Sequence, residues 1–138
     1  MPNALLIYGK NPVTFWSFDE GLKIAGKKST FPPSGALTVA GMLPSNYNVR
    51  LVDENVEKLT DEHLEWADFA MASGMIIHWK SIEDIIKRTN EAGKPLMVGG
   101  PLSTQYHKRL KGYATYFLGE AEAGGLLDTL EDMVRKGY

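Results

Sequence analysis

Cysteine is absent from the 138 residues, which excludes disulfides, thiolate catalysis, zinc knuckles and iron–sulfur ligation by this chain. No apolar run approaches the roughly 18 residues that a membrane-spanning helix needs. The start, Met1-Pro2-Asn3-Ala4, places no basic residue ahead of its short apolar run, so a secretory signal is not indicated. These absences lead to the expectation of a cytoplasmic protein. An excess of positive charge is missing too: 15 Lys and Arg against 17 Asp and Glu leave a formal net charge of -2, with the basic residues scattered. A protein that grips duplex DNA or RNA carries a basic patch. The three histidines, His63, His78 and His107, stand at no metal-ligand spacing.

What is present is apolar sequence in short pieces. The hydrophobic fraction, 43%, suffices for one ordinary core in a chain of this length. Nearly continuous apolar runs at Ala4–Tyr8, Asn48–Asp53, Asp68–Ser73, Pro95–Val98 and Thr115–Leu118 read as strands of a parallel sheet buried on both faces. Helical patterns lie between them. One opens near Pro33-Ser34-Gly35 and runs to Leu43, where Pro44 stops it. Thr60 can cap a short helix over Asp61–Trp66. Ser81 followed by Asp84 has the spacing of a capping box, ahead of Ile82, Ile85, Ile86 and Thr89 on one face. A last helix, from about Glu122 to Lys136, aligns Leu126, Leu127, Leu130, Met133 and Val134. The expected fold is α/β, a Rossmann-like (flavodoxin-like), doubly wound five-stranded parallel sheet in the order 2-1-3-4-5. Residues 1–138 are read as a single domain. The connection over residues 9–33 is long for such a fold and therefore a candidate functional loop. Its aromatics, Phe15, Trp16, Phe18 and Phe31, suit a lid or a partner surface.

Ligands of open parallel sheets bind beyond the C-terminal strand ends. Those ends read Gly9-Lys10-Asn11-Pro12, Asp53-Glu54-Asn55, Ser73-Gly74-Met75, Gly99-Gly100-Pro101 and Gly119-Glu120-Ala121-Glu122. The first has one glycine and a proline that lacks an N–H, so it is neither a dinucleotide fingerprint nor a P-loop. A phosphoacceptor receiver would need acids, an aspartate and a lysine where Gly9-Lys10, Ser73-Gly74 and Gly119-Glu120 stand. What remains is a row of small residues, with Gly35, Ala36, Ala40 and Gly41 on the first helix. Such a row either turns the chain between strand and helix or clears a slot for a flat ligand. His78 falls on the same edge, as a packing residue or a ligand contact. His63 and His107 read as solvated. Glu120 and Glu122 suit a helix N-terminus on dipole grounds alone.

The stretches "TFWSFDEGLKIAGKKSTFPPSGALTVAGMLP", "VRLVDENVEKLTDEHLEWADF", "ASGMIIH", "KPLMVGGPLST" and "FLGEAE" carry a resemblance. The chain resembles, from about Ala4 to Glu122, the N-terminal domain of cobalamin-binding radical S-adenosylmethionine proteins, the hopanoid C-2 methylase-like members in particular. The resemblance implies a module holding cobalamin over the C-terminal edge of the sheet. By match of motif, Ser73 would hydrogen-bond the nucleotide tail. Gly99 and Gly100, followed by Pro101 in the cofactor-binding motif, would let its dimethylbenzimidazole approach the backbone, with Gly119 and Glu120 bordering the groove. Gly9 and Asn11 after the first strand, and Gly74, Met75 and His78 after the third, would face the lower side of the corrin, and Asn55 after the second joins the cofactor-binding set.

Two departures bear on this. Cobalamin mutases carry a cobalt-ligating histidine after the first strand; Gly9-Lys10-Asn11-Pro12 has none, which implies base-off binding without a protein histidine on cobalt. The radical enzymes also hold a [4Fe-4S] cluster and S-adenosylmethionine in a following barrel, through three cysteines. This chain has none, so the resemblance makes it the excised N-terminal part of a longer methyltransferase. Its partner would be its own C-terminal barrel, and alone it would be inert. The alternative is a non-catalytic Rossmann-like interaction module that no longer binds cofactor.

Overall fold

The computed structural model describes residues 1–13, 19–27 and 33–137. The four loop aromatics singled out above lie outside these residues. β1 (Asn3–Tyr8) runs between β2 (Asn48–Asp53) and β3 (Phe69–Ser73), and β4 (Leu96–Gly99) and β5 (Thr115–Tyr116) follow beyond β3. Every pairing is parallel, and the order is β2-β1-β3-β4-β5. The expected doubly wound α/β sheet is the observed one.

Alternation along each strand divides the core in two. Leu5, Ile7, Ala70, Ala72, Leu96 and Val98 meet one layer, into which α3 (Asp61–Trp66), α4 (Trp79–Glu91) and α5 (Gly100–Tyr106) send Leu64, Ile82, Ile85, Ile86 and Leu102. Ala4, Leu6, Phe69, Met71 and Met97 face the opposite layer. That layer is α2 (Ser34–Met42) and α6 (Leu126–Lys136), with Leu126, Leu130 and Met133 as the inward stripe of α6. A short α1 (Asp19–Ile24) lies in the long first connection, its Ile24 exposed.

Three local expectations need correction. Ser81 does not cap α4, which starts at Trp79 behind a 3-10 turn over Ile76–His78. Its hydroxyl instead accepts the Lys10 N–H at 2.8 Å and donates to Glu54 at 3.4 Å. The last helix starts at Leu126 rather than Glu122, because Gly124 and Gly125 (φ +104° and +83°) interrupt the helical path after a turn at Ala121–Ala123. His63 is not solvated. It is buried at the start of α3, where its Nδ1 accepts the Thr60 N–H at 3.0 Å and its own N–H reaches Thr60 Oγ1 at 3.4 Å. The pair closes a capping box with histidine in the place usually held by Glu or Gln.

Candidate functional site

Two features occupy the C-terminal edge of the sheet. The first is a groove of about 440 Å³ between the sheet and the α2–α6 layer. Its floor is set by register. Leu6 pairs with Met71 and Met71 with Met97, a transverse row of apolar side chains on the α2–α6 face. One pleat nearer the edge, on the same face, stand Ser73 and its neighbour Gly99. The walls come from Gly35, Ala36 and Val39 of α2, from Phe117, and from residues 119–122 ahead of α6.

Small residues keep this space open. A Cβ on Gly99 would find nothing nearer than the Phe117 carbonyl oxygen at 4.0 Å, and one on Gly35 or Gly119 would find nothing within 4 Å. Gly100 is small for another reason: its φ is +87°, and a Cβ there would stand 2.9 Å from Ser73 Oγ and 3.0 Å from the Gly74 carbonyl oxygen.

The polar side chains around the groove differ in what they have left to offer. Thr104 donates to the Gly100 carbonyl at 3.1 Å and accepts the Gly119 N–H at 3.0 Å, and Thr38 donates to the Ser34 carbonyl at 3.0 Å. Gln105, Glu120 and Glu122 are exposed at the mouth. Ser73 is half-buried, and its hydroxyl makes no hydrogen bond among the described residues. Among the described residues, no lysine or arginine lines the groove.

The second feature is a closed polar network on the β1–β2–β3 half of the edge. His78 is fully buried. Its Nδ1 accepts the Met75 N–H at 2.8 Å, which leaves the ring proton on Nε2, donated to Asn11 Oδ1 at 2.5 Å. The Asn11 N–H in turn donates to Asn55 Oδ1 at 2.7 Å. Asn55 Nδ2 donates to the Gly9 carbonyl at 3.1 Å and to Asp53 Oδ1 at 2.9 Å. Burial lowers the His78 pKa below its ordinary value, with the Asp53 charge acting in the other direction. The Tyr8 ring meets the imidazole edge-on, centroids 5.1 Å apart, and burial followed by the Asp53 charge raises its phenol.

The residues singled out in the sequence therefore separate. Ser73, Gly99, Gly100, Pro101, Gly119 and Glu120 converge on the groove. Gly9, Asn11, Asn55, Gly74, Met75 and His78 lie together in the second cluster. There, Gly9 and Gly74 make room for the imidazole: added Cβ atoms would stand 3.0 and 2.9 Å from His78 Cβ. Thr38, Thr104 and Phe117 were not anticipated. α5 carries too few apolar residues to announce itself as a helix, and Phe117, expected inside a strand over Thr115–Leu118, lies just past the end of β5 at Tyr116.

Comparison with known proteins bears on this geometry. Over 115 residues, 83% of its length, the chain is 39% identical to an uncharacterized methyltransferase of Synechocystis sp.. Over 98 residues, 70% of its length, it is 33% identical to the hopanoid C-2 methylase of Rhodopseudomonas palustris. The chain is a methylase-related module. The resemblance to hopanoid C-2 methylase-like proteins is thereby borne out. The module spans only about a fifth of those relatives, 22% and 19% of their lengths. No family model and no solved structure matches it. Among the described residues, no helix is long and apolar enough to cross a membrane, and no cluster of three or more His, Asp or Glu could hold a metal ion.

Proposed function

We propose that this chain is the cobalamin-binding module of a longer radical S-adenosylmethionine methyltransferase, taking the cofactor base-off with no protein histidine on cobalt. The observation that carries the reading is the groove. It opens at the C-terminal edge, has an apolar floor, and is bordered by the small residues that the resemblance assigns to the nucleotide tail. The donor set fits the group: an uncommitted hydroxyl on Ser73 in a cleft kept free of Cβ atoms.

His78 does not offer itself to cobalt, because Met75 and Asn11 engage both ring nitrogens. It fixes the loops after β1 and β3, and with them the surface on which a corrin would rest. When bound, the cofactor would supply a transferable methyl group; the chain's own residues bind and orient it. A C-terminal barrel holding a [4Fe-4S] cluster and S-adenosylmethionine belongs to the same proposal, as does a cytoplasmic location.

The test is a titration with hydroxocobalamin, read from the visible spectrum after free corrinoid has been removed by gel filtration. Retention with a base-off spectrum is the expected result, and Ser73→Trp should abolish it while the unfolding transition persists. Retention with a base-on spectrum would refute the binding mode. Loss of all corrinoid would favour an interaction module without cofactor.

A further inference from the structure

Charge that looks scattered along the chain is separated by the fold. Residues 53–68 hold seven acids against one basic side chain, Lys58. Residues 92–119 hold no acid and four basic side chains, Lys94, Lys108, Arg109 and Lys111. The first stretch takes in the end of β2 and α3, and the second runs through α5 to β5. β2 and β5 are the opposite edges of the sheet.

Lys108, Arg109 and Lys111 cluster just past α5, on and beside a 3-10 turn at His107–Arg109. All three are exposed, and among the described residues none makes an ion pair. Arg109 lies over the Trp79 ring, its Cζ 5.8 Å from the centroid. Beside them Tyr113 is 82% exposed, yet its backbone is pinned. Its N–H donates to Asn90 Oδ1 at 2.9 Å, and Asn90 Nδ2 donates to its carbonyl at 2.8 Å. Gly112 ahead of it has φ +97°, and a Cβ there would stand 2.5 Å from Ile86 Cγ2. The fold thus holds an aromatic side chain out in solvent next to three cations that lack counter-charges.

We infer that this corner of the molecule docks on an anionic lipid surface. A tyrosine suits the headgroup layer, where its ring leaves water while its hydroxyl keeps a polar partner. Each Lys or Arg held near such a surface strengthens binding about five-fold, so the three together supply about 100-fold. The acidic edge, on the far side of the sheet, is repelled and turned outward, so the charge separation sets orientation as well as affinity. The corner projects rather than encloses, which favours a flat partner over a nucleic-acid strand lying in a groove. None of these observations involves the cofactor groove.

Co-sedimentation of the chain with two kinds of vesicle tests this: phosphatidylcholine alone, and phosphatidylcholine mixed with phosphatidylglycerol. The chain should pellet with the anionic vesicles only, and added salt should release it. Lys108→Gln and Lys111→Gln should each weaken binding about five-fold, and Tyr113→Ser several-fold. These side chains are exposed, so the unfolding transition should not move. Glu62→Gln and Glu65→Gln, on the far edge, should leave vesicle binding unchanged. Equal binding to both vesicles, binding to neither, or undiminished binding by the Lys108→Gln, Lys111→Gln double variant overturns the inference. Capture of a single-stranded oligonucleotide in place of the anionic vesicles would overturn it too, and would assign the corner to nucleic acid.

Discussion

The side chain of His78 occupies the space that a side chain on Gly74 would need: a Cβ on Gly74 would come within 2.9 Å of His78 Cβ and 3.1 Å of Ile82 Cγ1. Gly74 thus belongs to the packing of the protein, whereas Gly99, paired with the neighbouring Ser73, borders open space. Two glycines that look alike in sequence stand on either side of the division between core and groove.

Gly74→Ala should accordingly destabilise the protein by about 1–3 kcal/mol, the usual cost of overpacking a filled site. Gly99→Ala should change stability little, since its backbone is extended (φ -124°, ψ -170°) and its surroundings are open. Its effect should fall on corrinoid retention instead. Chemical denaturation of both variants, followed by the retention assay, checks the pair. Equal destabilisation would mean that the two glycines do not serve different ends.

The imidazole of His78 should make stability depend on pH. Burial depresses its pKa below the ordinary value of 6.5, and Asp53, the charged group facing it from β2, only partly offsets this. The unfolded chain therefore takes up a proton that the folded protein resists. The contribution is fully present above about pH 6.5 and is lost as the pH falls toward the lower folded value. Glu54 acts in the opposite direction: burial, with Asp84 adding, raises its carboxyl, so protonation there favours the folded state. Comparing wild type with His78→Gln removes the terms they share. Between about pH 7 and pH 5.5 the wild-type melting temperature should fall more steeply than that of the variant. Parallel curves would sink the assignment.

Asn55 ties the segment after β1 to the segment after β2 through its side chain, so its loss should be felt locally. Asn55→Ala leaves the Asn11 N–H and the Gly9 carbonyl without their partner, at a cost of about 1–3 kcal/mol. Hydrogen exchange should quicken at the Asn11 amide and stay slow at Ile7 in the middle of β1. Unchanged protection at Asn11 would show that the network does not hold the loop.

The sheet was readable because buried parallel strands appear as short apolar runs, and the β1–β4 ends fell within a residue of expectation. The partition of the strand ends was not. Nothing local to Gly9 or Gly74 says that a histidine four residues past the second of them will fill both spaces. His63 was misread because a histidine three residues after a threonine is an unusual capping partner, recognisable only once Nδ1 is seen to face the Thr60 amide. α5 was missed because Gly100-Pro101-Leu102-Ser103-Thr104 shows no periodicity, although Leu102 and Ser103 are fully buried. The residues singled out lie along one edge of the sheet, and the structure sorts them into strut and cleft.

Gly124 and Gly125 also act as a ruler. By interrupting the helical path they fix where α6 begins, and the stretch just before them forms the end wall of the groove. Replacing both with alanine would let the helix wind backward, and each added turn would advance its tip by about 5.4 Å. The wall at residues 119–122 would be drawn into that turn and the cleft foreshortened. The length of the cleft is thus written in two residues that do not themselves line it.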